Sequence, residues 1–351
     1  MKAGTRNGIG NKSFVQVCFI QKWFNFGSLF FTSPVWCLHC LTIMNFLTLV
    51  YAALKVLTAT PSESTISKVI PPHESTWTYD GKGNGINDWY QLYPKCKGQF
   101  QSPINIDTRL VDYNSSMKID FIGFQKLYQA FIENNGHTVQ LGVEESTKPV
   151  LTGSAVDNKI YVFAQLHFHW GTDSLLGSEH SINSTFYPLE GHLAFYRKEY
   201  ESFDKALNYS DGLVVVSIFF KHADEENHAL DRLIKGIQKI PRYRDKSLIP
   251  GFFNFSDILP SNLNNFYKYS GSLTTPPCLE IVTWLIIAEP VNISEGQTEI
   301  FRHERANMIS SKTGEYAYLN HNYREQSPLN HRRVTASFMV NSNTDQNEYI
   351  A

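Results

Sequence analysis

Three histidines of this 351-residue chain have the type and spacing of metal ligands. His167 and His169 are separated by one residue within an aromatic, alternating run that is typical of a β-strand. Because residues i and i+2 of a strand project from the same face, both imidazoles point the same way, with Cα atoms about 7 Å apart. His192 follows in the next strand-like run. Three imidazoles with a fourth position open to water form a ligand set typical of catalytic zinc.

Each of the two runs also carries a side chain able to orient its histidine. Gln165 precedes His167 by two residues and Glu190 precedes His192 by two, so each pair shares a strand face. A metal-bound histidine usually donates its second N–H to a carboxylate, carbonyl or water oxygen, which fixes the tautomer. A lone His-x-His in a strand is usually not a metal site. The third histidine and the two acceptors together favour one here.

The composition and the periodicity indicate the kind of fold that must position these residues. Hydrophobic residues make up 42% of the chain, enough for one large core, and the net charge of -2 favours neither nucleic acid nor an acidic polymer as a partner. Runs rich in β-formers recur at 159–170, 191–196, 213–220 and 281–288. Helical periodicity is weak and is best at 227–240. We therefore predict a mainly β (α+β) architecture.

Residues 1–60 have the pattern of a leader. Basic residues precede an uncharged, apolar stretch at 23–54, and the first acidic residue is Glu63. This pattern predicts a secretory signal, with Met44 as an alternative start of a shorter one, or an uncleaved signal-anchor. A buried core helix would instead show a polar face. The domain is expected to be extracellular, secreted if the leader is cleaved and membrane-attached only if it is retained.

The rest of the chain divides into a linker, a domain and a tail. Residues 61–76, rich in Ser, Thr and Pro, predict a flexible linker, residues 77–340 a single domain, and residues 341–351 a polar tail. Beyond the leader the cysteines are an even pair, which predicts a disulfide in an oxidising compartment or two separate buried thiols. Five sequons suggest a glycosylated surface: Asn114, Asn183, Asn208, Asn254 and Asn292.

Four segments resemble the α-class carbonic anhydrases. They are 101–106 (QSPINI), 165–171 (QLHFHWG), 177–180 (GSEH) and 271–277 (GSLTTPP). They occur in that family's order, and the resemblance extends from about residue 77 to 338. It implies a single domain with a large, mostly antiparallel twisted β-sheet and short peripheral helices. It also implies one zinc ion per chain, held by His167, His169 and His192, and reversible hydration of carbon dioxide to bicarbonate and a proton by a zinc-bound hydroxide.

The resemblance implies roles for other side chains as well. Thr274 would accept a hydrogen bond from the hydroxide and donate one to Glu179. It implies an apolar pocket of Ala194, Val215, Leu273 and Trp284, with Thr275 near the bicarbonate position. His137 would be the proton shuttle, with a water network of Tyr79, Asn135 and Gln140. Cys96 and Cys278 would form a disulfide. Gln140 and Thr138 depart from the family's usual residues, which leaves proton transfer as the least defined step.

Two other classes of function are compatible with such a domain. One is a non-catalytic relative that serves as a binding module, and the other is a matrix protein in which catalysis is secondary. Non-catalytic relatives typically lose one or more of the zinc histidines, and all three are present here. A matrix protein would favour acidic or repetitive appendages, which the sequence does not show. The residues therefore favour an enzyme.

Overall fold

The computed structural model of the protein describes residues 77–80, 85–309 and 313–339. All of these belong to the second of two units into which the chain divides, residues 73–351. The predicted leader with its alternative start at Met44, the linker and the tail lie outside the described residues. No helix within the described ranges has the length and apolar character needed to span a bilayer.

Short strands dominate the described part of the chain. The strands are β1 (Asn105–Ile106), β2 (Asp112–Tyr113), β3 (Asp120–Ile122), β4 (Leu127–Tyr128), β5 (Ala130–Asn134), β6 (Val139–Val143), β7 (Val150–Thr152), β8 (Tyr161–Trp170), β9 (Ser181–Ile182), β10 (Leu189–Arg197), β11 (Leu213–Ala223), β12 (Lys246–Leu248), β13 (Phe253–Asn254), β14 (Phe266–Gly271), β15 (Val282–Ile287), β16 (Val291–Ser294), β17 (Arg305–Ile309), β18 (Tyr316–Tyr318) and β19 (Thr335–Ala336). The α-helices are α1 (Trp89–Leu92), α2 (Phe203–Ala206), α3 (Asp231–Ile237) and α4 (Glu295–Arg302). Single 3₁₀ turns span Ile86–Asp88, Pro94–Lys97, Thr108–Leu110, Ser154–Val156, Lys198–Tyr200, His228–Leu230 and Phe255–Ile258.

One 13-stranded sheet organises the described residues. Its main path runs β12-β5-β6-β8-β10-β11-β15-β14-β19-β2, with β16 beside β11, β7 beside β8, and β3 beside β7. The pairings are antiparallel except for β11–β15, β11–β16 and β19–β2. The prediction of a mainly β domain with a large, mostly antiparallel sheet and short helices is confirmed.

The middle of the sheet is covered on both faces. From Leu213 to Phe220 every residue of β11 is buried, as expected for a strand whose sequence is apolar at successive positions. Alternate residues of β10 enter different environments: Leu193 and Phe195 join the larger core cluster, whereas Ala194 joins a smaller one on the other face. The face that carries the smaller cluster is also the face toward which His192 points.

Three predicted elements are shorter in the structure than in the sequence analysis. The strand expected at 281–288 loses one residue at each end. The strand expected at 159–170 begins at Tyr161, because Asp157 and Asn158 adopt the left-handed conformation that closes the preceding turn. The helix expected at 227–240 is a 3₁₀ turn followed by α3, which ends at Ile237. Pro241 disfavours the α conformation at the residue before it, so the helical pattern ends early.

A disulfide joins Cys96 to Cys278, with Cα atoms 4.9 Å apart. The predicted pairing is therefore confirmed, and the alternative of two separate thiols is wrong. Cys96 lies in the 3₁₀ turn Pro94–Lys97, and Cys278 follows the loop after β14. The bond closes a sequence separation of 182 residues, and so ties the beginning of the domain to a loop near its far end.

We predict that replacing both cysteines with serine destabilises the full chain. A loop of this length restricts the unfolded state by an amount worth about 5 kcal/mol in the chain-entropy model. The free energy of unfolding should therefore fall by up to about that amount, measured by urea denaturation of the double variant against the wild type. The wild type under reducing conditions is the matched control and should approach the variant. Equal denaturation midpoints for all three samples would contradict the expectation.

Candidate active site

β8 and β10 bring the three predicted ligands to one face of the sheet. His167 and His169 leave that face of β8, while the ring of Phe168 enters the larger core on the other face. β10 runs antiparallel to β8 and sets His192 directly opposite His167. One nitrogen from each ring lies within 4.8 Å of the corresponding nitrogens of the other two. The arrangement could hold a metal ion.

Two of these imidazoles are oriented by the acceptors expected from the sequence. Nδ1 of His167 lies 2.9 Å from Oε1 of Gln165. Nε2 of His192 lies 2.6 Å from Oε1 of Glu190. In both pairs the acceptor precedes the histidine by two residues on the same strand. Each bond fixes which ring nitrogen carries the proton, and leaves the other nitrogen with a lone pair.

The acceptor for the third imidazole is Asn322, which the sequence analysis did not identify. Its backbone oxygen accepts from Nδ1 of His169 at 2.8 Å, and its Oδ1 accepts the backbone N–H of Trp170 at 2.7 Å. Its amide nitrogen donates to the carbonyl oxygens of Phe168 at 2.8 Å and His137 at 3.0 Å. No sequence signal marks a backbone carbonyl from a segment 153 residues away. The structure shows the importance of Asn322 for the site, because its side chain is buried and makes several hydrogen bonds.

The inner nitrogens of the histidines fit a metal ion. Nε2 of His169 and Nδ1 of His192 are buried without a hydrogen-bond partner in the described part of the chain, an arrangement that native proteins rarely leave uncompensated. Burial, together with the neighbouring rings, lowers the pKa of His167 well below its ordinary value. Burial also lowers the pKa of His192 and lowers that of His169 to about 4. The imidazoles are therefore neutral at pH 7, the form that binds metal.

Glu190 is the anchor behind this cluster. Its Oε1 accepts from His180 Nδ1, His192 Nε2 and Ser217 Oγ at 2.6–2.7 Å. Its Oε2 accepts the backbone N–H groups of Glu179 and His180 at 2.8 Å. Burial alone raises the pKa of Glu190, but the two histidines outweigh it and hold the pKa well below its usual range. Glu190, His180 and His192 also have metal-ligand spacing, but these hydrogen bonds already occupy the atoms that would bind.

Glu179 and Thr274 lie beside the ligand rings. Oε1 of Glu179 accepts the backbone N–H of Arg324 at 2.9 Å, and Oε2 lies 3.9 Å from Nδ1 of His192. Burial raises the pKa of Glu179, and the interaction with the Thr274 hydroxyl opposes that rise. Oε2 of Glu179 is buried and has no hydrogen-bond partner by distance and angle among the described residues. Because a carboxylate can only accept hydrogen bonds, Thr274 would be the donor in a bond between the two and would keep its own lone pairs for another donor.

An apolar wall adjoins the ligands on the same sheet face. Ala194, Val215 and Trp284 lie at one register across β10, β11 and β15, and all three are buried. Leu273 packs against them. The ring centroid of Trp284 is 4.8 Å from that of His192. The predicted pocket residues thus form one surface next to the histidines.

The loop that carries Thr274 and Thr275 is held at both ends. The backbone N–H of Leu273 donates to the carbonyl oxygen of Leu279 at 3.0 Å, and that of Cys278 donates to Thr275 at 2.9 Å. Because Cys278 is also fixed by the disulfide, the loop has little freedom to move relative to the sheet. Thr275 is half-buried and directly follows Thr274.

Comparison with known proteins agrees with this geometry. The family model of the eukaryotic-type carbonic anhydrases matches residues 84–338. The chain belongs to this family. Carbonic anhydrase 7 of Mus musculus is 36% identical over 266 residues, which cover 75% of this chain and 98% of that protein. Carbonic anhydrase 6 of Homo sapiens is 35% identical over 272 residues, which cover 76% of this chain and 84% of that protein. The resemblance identified in the sequence is confirmed.

The carbonic anhydrase resemblance assigns His137 to proton transfer, and the structure places its ring outside the ligand cluster. The imidazole stacks on Trp77 with ring centroids 3.7 Å apart and planes inclined by 16°. Its Nε2 lies 3.3 Å from Nδ2 of Asn307. Burial lowers the pKa of His137 to about 4. In this position the ring is neutral at pH 7 and is a weak acceptor of protons.

The three residues expected to order water have different partners in the structure. The buried ring of Tyr79 lies beside that of His137, with centroids 6.5 Å apart. Oδ1 of Asn135 accepts the backbone N–H of His137 at 3.0 Å and so closes the turn that carries it. Gln140 pairs with His167 across β6 and β8, and its amide donates to Glu133 at 3.2 Å.

A buried carboxyl group behind the His137 turn was also missed by the sequence analysis. Glu304 is 2% exposed, and its Oε2 accepts from Nδ2 of Asn134 at 2.8 Å. Oδ1 of Asn134 accepts the backbone N–H of Gly136 at 2.8 Å, so the carboxyl helps hold the turn. Burial raises the pKa of Glu304 to about 8, with Asp245 adding to the rise. Within a charged sequence, nothing marks this glutamate as buried.

We predict that Glu304 makes the protein less stable as the pH rises. The unfolded carboxyl ionises near its ordinary pKa, whereas the folded one keeps its proton up to about pH 8. Its contribution to stability is therefore full below about pH 4.5 and is lost between there and pH 8, by at most about 1.4 kcal/mol per pH unit. Glu304→Gln should flatten this dependence in urea denaturation of the full chain at several pH values. The exposed Glu315→Gln serves as control, and identical slopes for wild type and Glu304→Gln would contradict the expectation.

Proposed function

We propose that the protein is a zinc-dependent enzyme that reversibly hydrates carbon dioxide to bicarbonate and a proton. The observation that carries this proposal is the set of three neutral imidazoles on one sheet face, two of which have a buried inner nitrogen without a partner among the described residues. Membership in the carbonic anhydrase family supports the same reaction.

The donor set suits one zinc ion per chain. His167 and His169 would each bind through Nε2, and His192 through Nδ1, because their other ring nitrogens are occupied by hydrogen bonds. Three neutral imidazoles are an established ligand set for catalytic zinc. Bound there, the ion would lower the pKa of a coordinated water to about 7 and so supply hydroxide at neutral pH.

Thr274 and Glu179 would orient the attacking oxygen. With its hydrogen directed to Glu179, the hydroxyl of Thr274 could only accept a hydrogen bond from the attacking hydroxide. The hydrogen of that hydroxide would then point toward Thr274, and one of its lone pairs would face the apolar wall. Carbon dioxide carries no charge, so an apolar surface beside the ligands is suited to bind it without competing for the hydrogen bonds.

The substrate of the forward reaction would lie against the wall formed by Ala194, Val215, Leu273 and Trp284, with Thr275 beside the product bicarbonate. Small changes in this wall change the room for a three-atom molecule, and Ala194 contributes the smallest side chain. Each hydration releases one proton, and we propose His137 as the first group of the protein to receive it. A carrier near neutral pH needs a pKa close to that pH.

We also propose that the domain functions outside the cell. The disulfide and the leader pattern support an oxidising compartment. Four of the five sequon asparagines are exposed and Asn254 is half-buried, which is compatible with glycans at these positions. Determination of the mature N-terminus separates the two topologies, since a start near Thr60 means secretion and a start at Met1 means an anchored protein.

Removal of one ligand should remove both metal and activity. We expect about one zinc per wild-type chain by mass spectrometry of the purified protein, and none retained after dialysis of His192→Ala. Hydration of carbon dioxide by that variant, followed by stopped flow, should fall to the rate of buffer alone. His303→Ala is the control, because His303 is exposed and lies outside the ligand cluster. Full activity of His192→Ala would overturn the proposal.

Substitution of Thr274 should separate orientation from metal binding. Thr274→Val keeps the shape and removes the hydroxyl, so kcat/KM should fall by about 100-fold, as for the loss of one catalytic hydrogen bond. Zinc content should stay unchanged. Thr274→Ser restores the hydroxyl and should recover most of the rate. Equal losses in the valine and serine variants would show that packing, not the hydrogen bond, is responsible.

A further inference from the structure

The pocket that contains His137 also contains a second imidazole, that of His321. Both histidines line it together with Tyr79 and Asp80. Nε2 of His321 lies 3.4 Å from Oδ1 of Asp80. The side chain of His321 is 30% exposed and that of Asp80 is 61% exposed. One side of this pair therefore faces the pocket and the other faces solvent.

The backbone ties His321 to the metal-binding strand. The next residue, Asn322, accepts from Nδ1 of His169 and donates to the carbonyl oxygen of His137. These bonds hold the segment against β8 and against the His137 turn at once. Asn322, which orients the ligand His169, thus also holds the backbone next to His321.

His137 alone does not complete a path to solvent in this arrangement. Its ring is stacked on Trp77 and half-buried, and at neutral pH it is uncharged. Rapid hydration needs a group that gains and loses a proton while in contact with bulk water. Of the two imidazoles in the pocket, His321 is the one with a carboxylate partner at the solvent side.

We propose that His321, held by Asp80, exchanges protons between this pocket and bulk solvent. The inference rests on the proposed hydration of carbon dioxide. Neutral His321 takes up one proton on the ring nitrogen that does not face Asp80, and the imidazolium that results is paired with the carboxylate of Asp80. It then gives one proton to a buffer molecule and returns to the neutral form, with no other bond made or broken.

Several titratable or charged groups surround His321 in the described part of the chain. Asp80, Tyr79, His137 and Tyr318 line the pocket with it. Arg305 is stacked on the ring of Tyr318 at 3.6 Å. The ring centroid of Tyr323 is 5.8 Å from that of His321. Among the described residues that line the pocket, Asp80 is the one acid. Asp80 is therefore the described residue that can pair with a protonated His321.

The test is the steady-state rate of carbon dioxide hydration by the full chain at several buffer concentrations. With dilute buffer, His321→Asn should lower kcat by at least about 10-fold, within the range for loss of a proton-transfer group. Its kcat/KM should stay at the wild-type value, because the conversion of carbon dioxide itself does not use His321. Added imidazole should restore kcat. Asp80→Asn should lower kcat by less than His321→Asn does, because the imidazole remains.

The matched control is His303→Asn, which removes an exposed histidine whose ring lies 6.2 Å from Tyr318. It should leave both parameters unchanged. If His321→Asn keeps wild-type kcat at every buffer concentration while His137→Asn loses it, the proposal is overturned and His137 is the carrier. A loss of kcat/KM and zinc in both His321→Asn and His321→Gln would mean a structural role and would also overturn it. A zinc-loaded wild type without hydration activity would overturn the proposed function itself.

Discussion

The buried carboxylate of Glu190 is the interaction on which the rest of the site depends. A fully buried charge is costly unless it is paired and hydrogen-bonded, and this one receives five donors, two of them imidazoles. The same bonds fix the tautomer of His192 and draw the backbone of Glu179 against β10. A single anion thus sets the direction of a ligand nitrogen and the position of the neighbouring Glu179 carboxylate. Removing its charge would leave several donors without an acceptor in the core.

Side chains alternate between the two faces of the sheet, so the same strands can build both the core and the site. On β8 and β10 the side chains of one face pack into the large core, while those of the other face hold the imidazoles and the apolar wall. A slip of one residue in the pairing of these strands would exchange the two sets. The aromatic residues between the histidines, such as Phe168, are therefore as much a part of the site's geometry as the ligands, since their burial fixes the register.

The residue pattern along a strand predicted those features of the site that depend on neighbouring residues of the same strand. Alternation predicted that His167 and His169 share a face, and the i-2 spacing identified Gln165 as an acceptor that the structure brings to 2.9 Å. Contacts between distant segments left no such trace. The carbonyl of Asn322, the burial of Glu304 and the stack of His137 on a tryptophan 60 positions earlier all depend on how the chain closes in three dimensions. The disulfide pairing came from the family resemblance, because composition alone left thiols open.

The five hydrogen bonds of Asn322 hold the backbone at position 137 but not its side chain. They hold the carbonyl oxygen of His137 and the ring of His169 through one residue, but none of them touches the imidazole of His137. The backbone of the turn is therefore held in a fixed position relative to the metal ligands, whereas the imidazole of His137 is not. Residue 137 can therefore be replaced by another residue while the metal ligands keep their geometry. A replacement there changes the group available for proton transfer and leaves the metal site as it is.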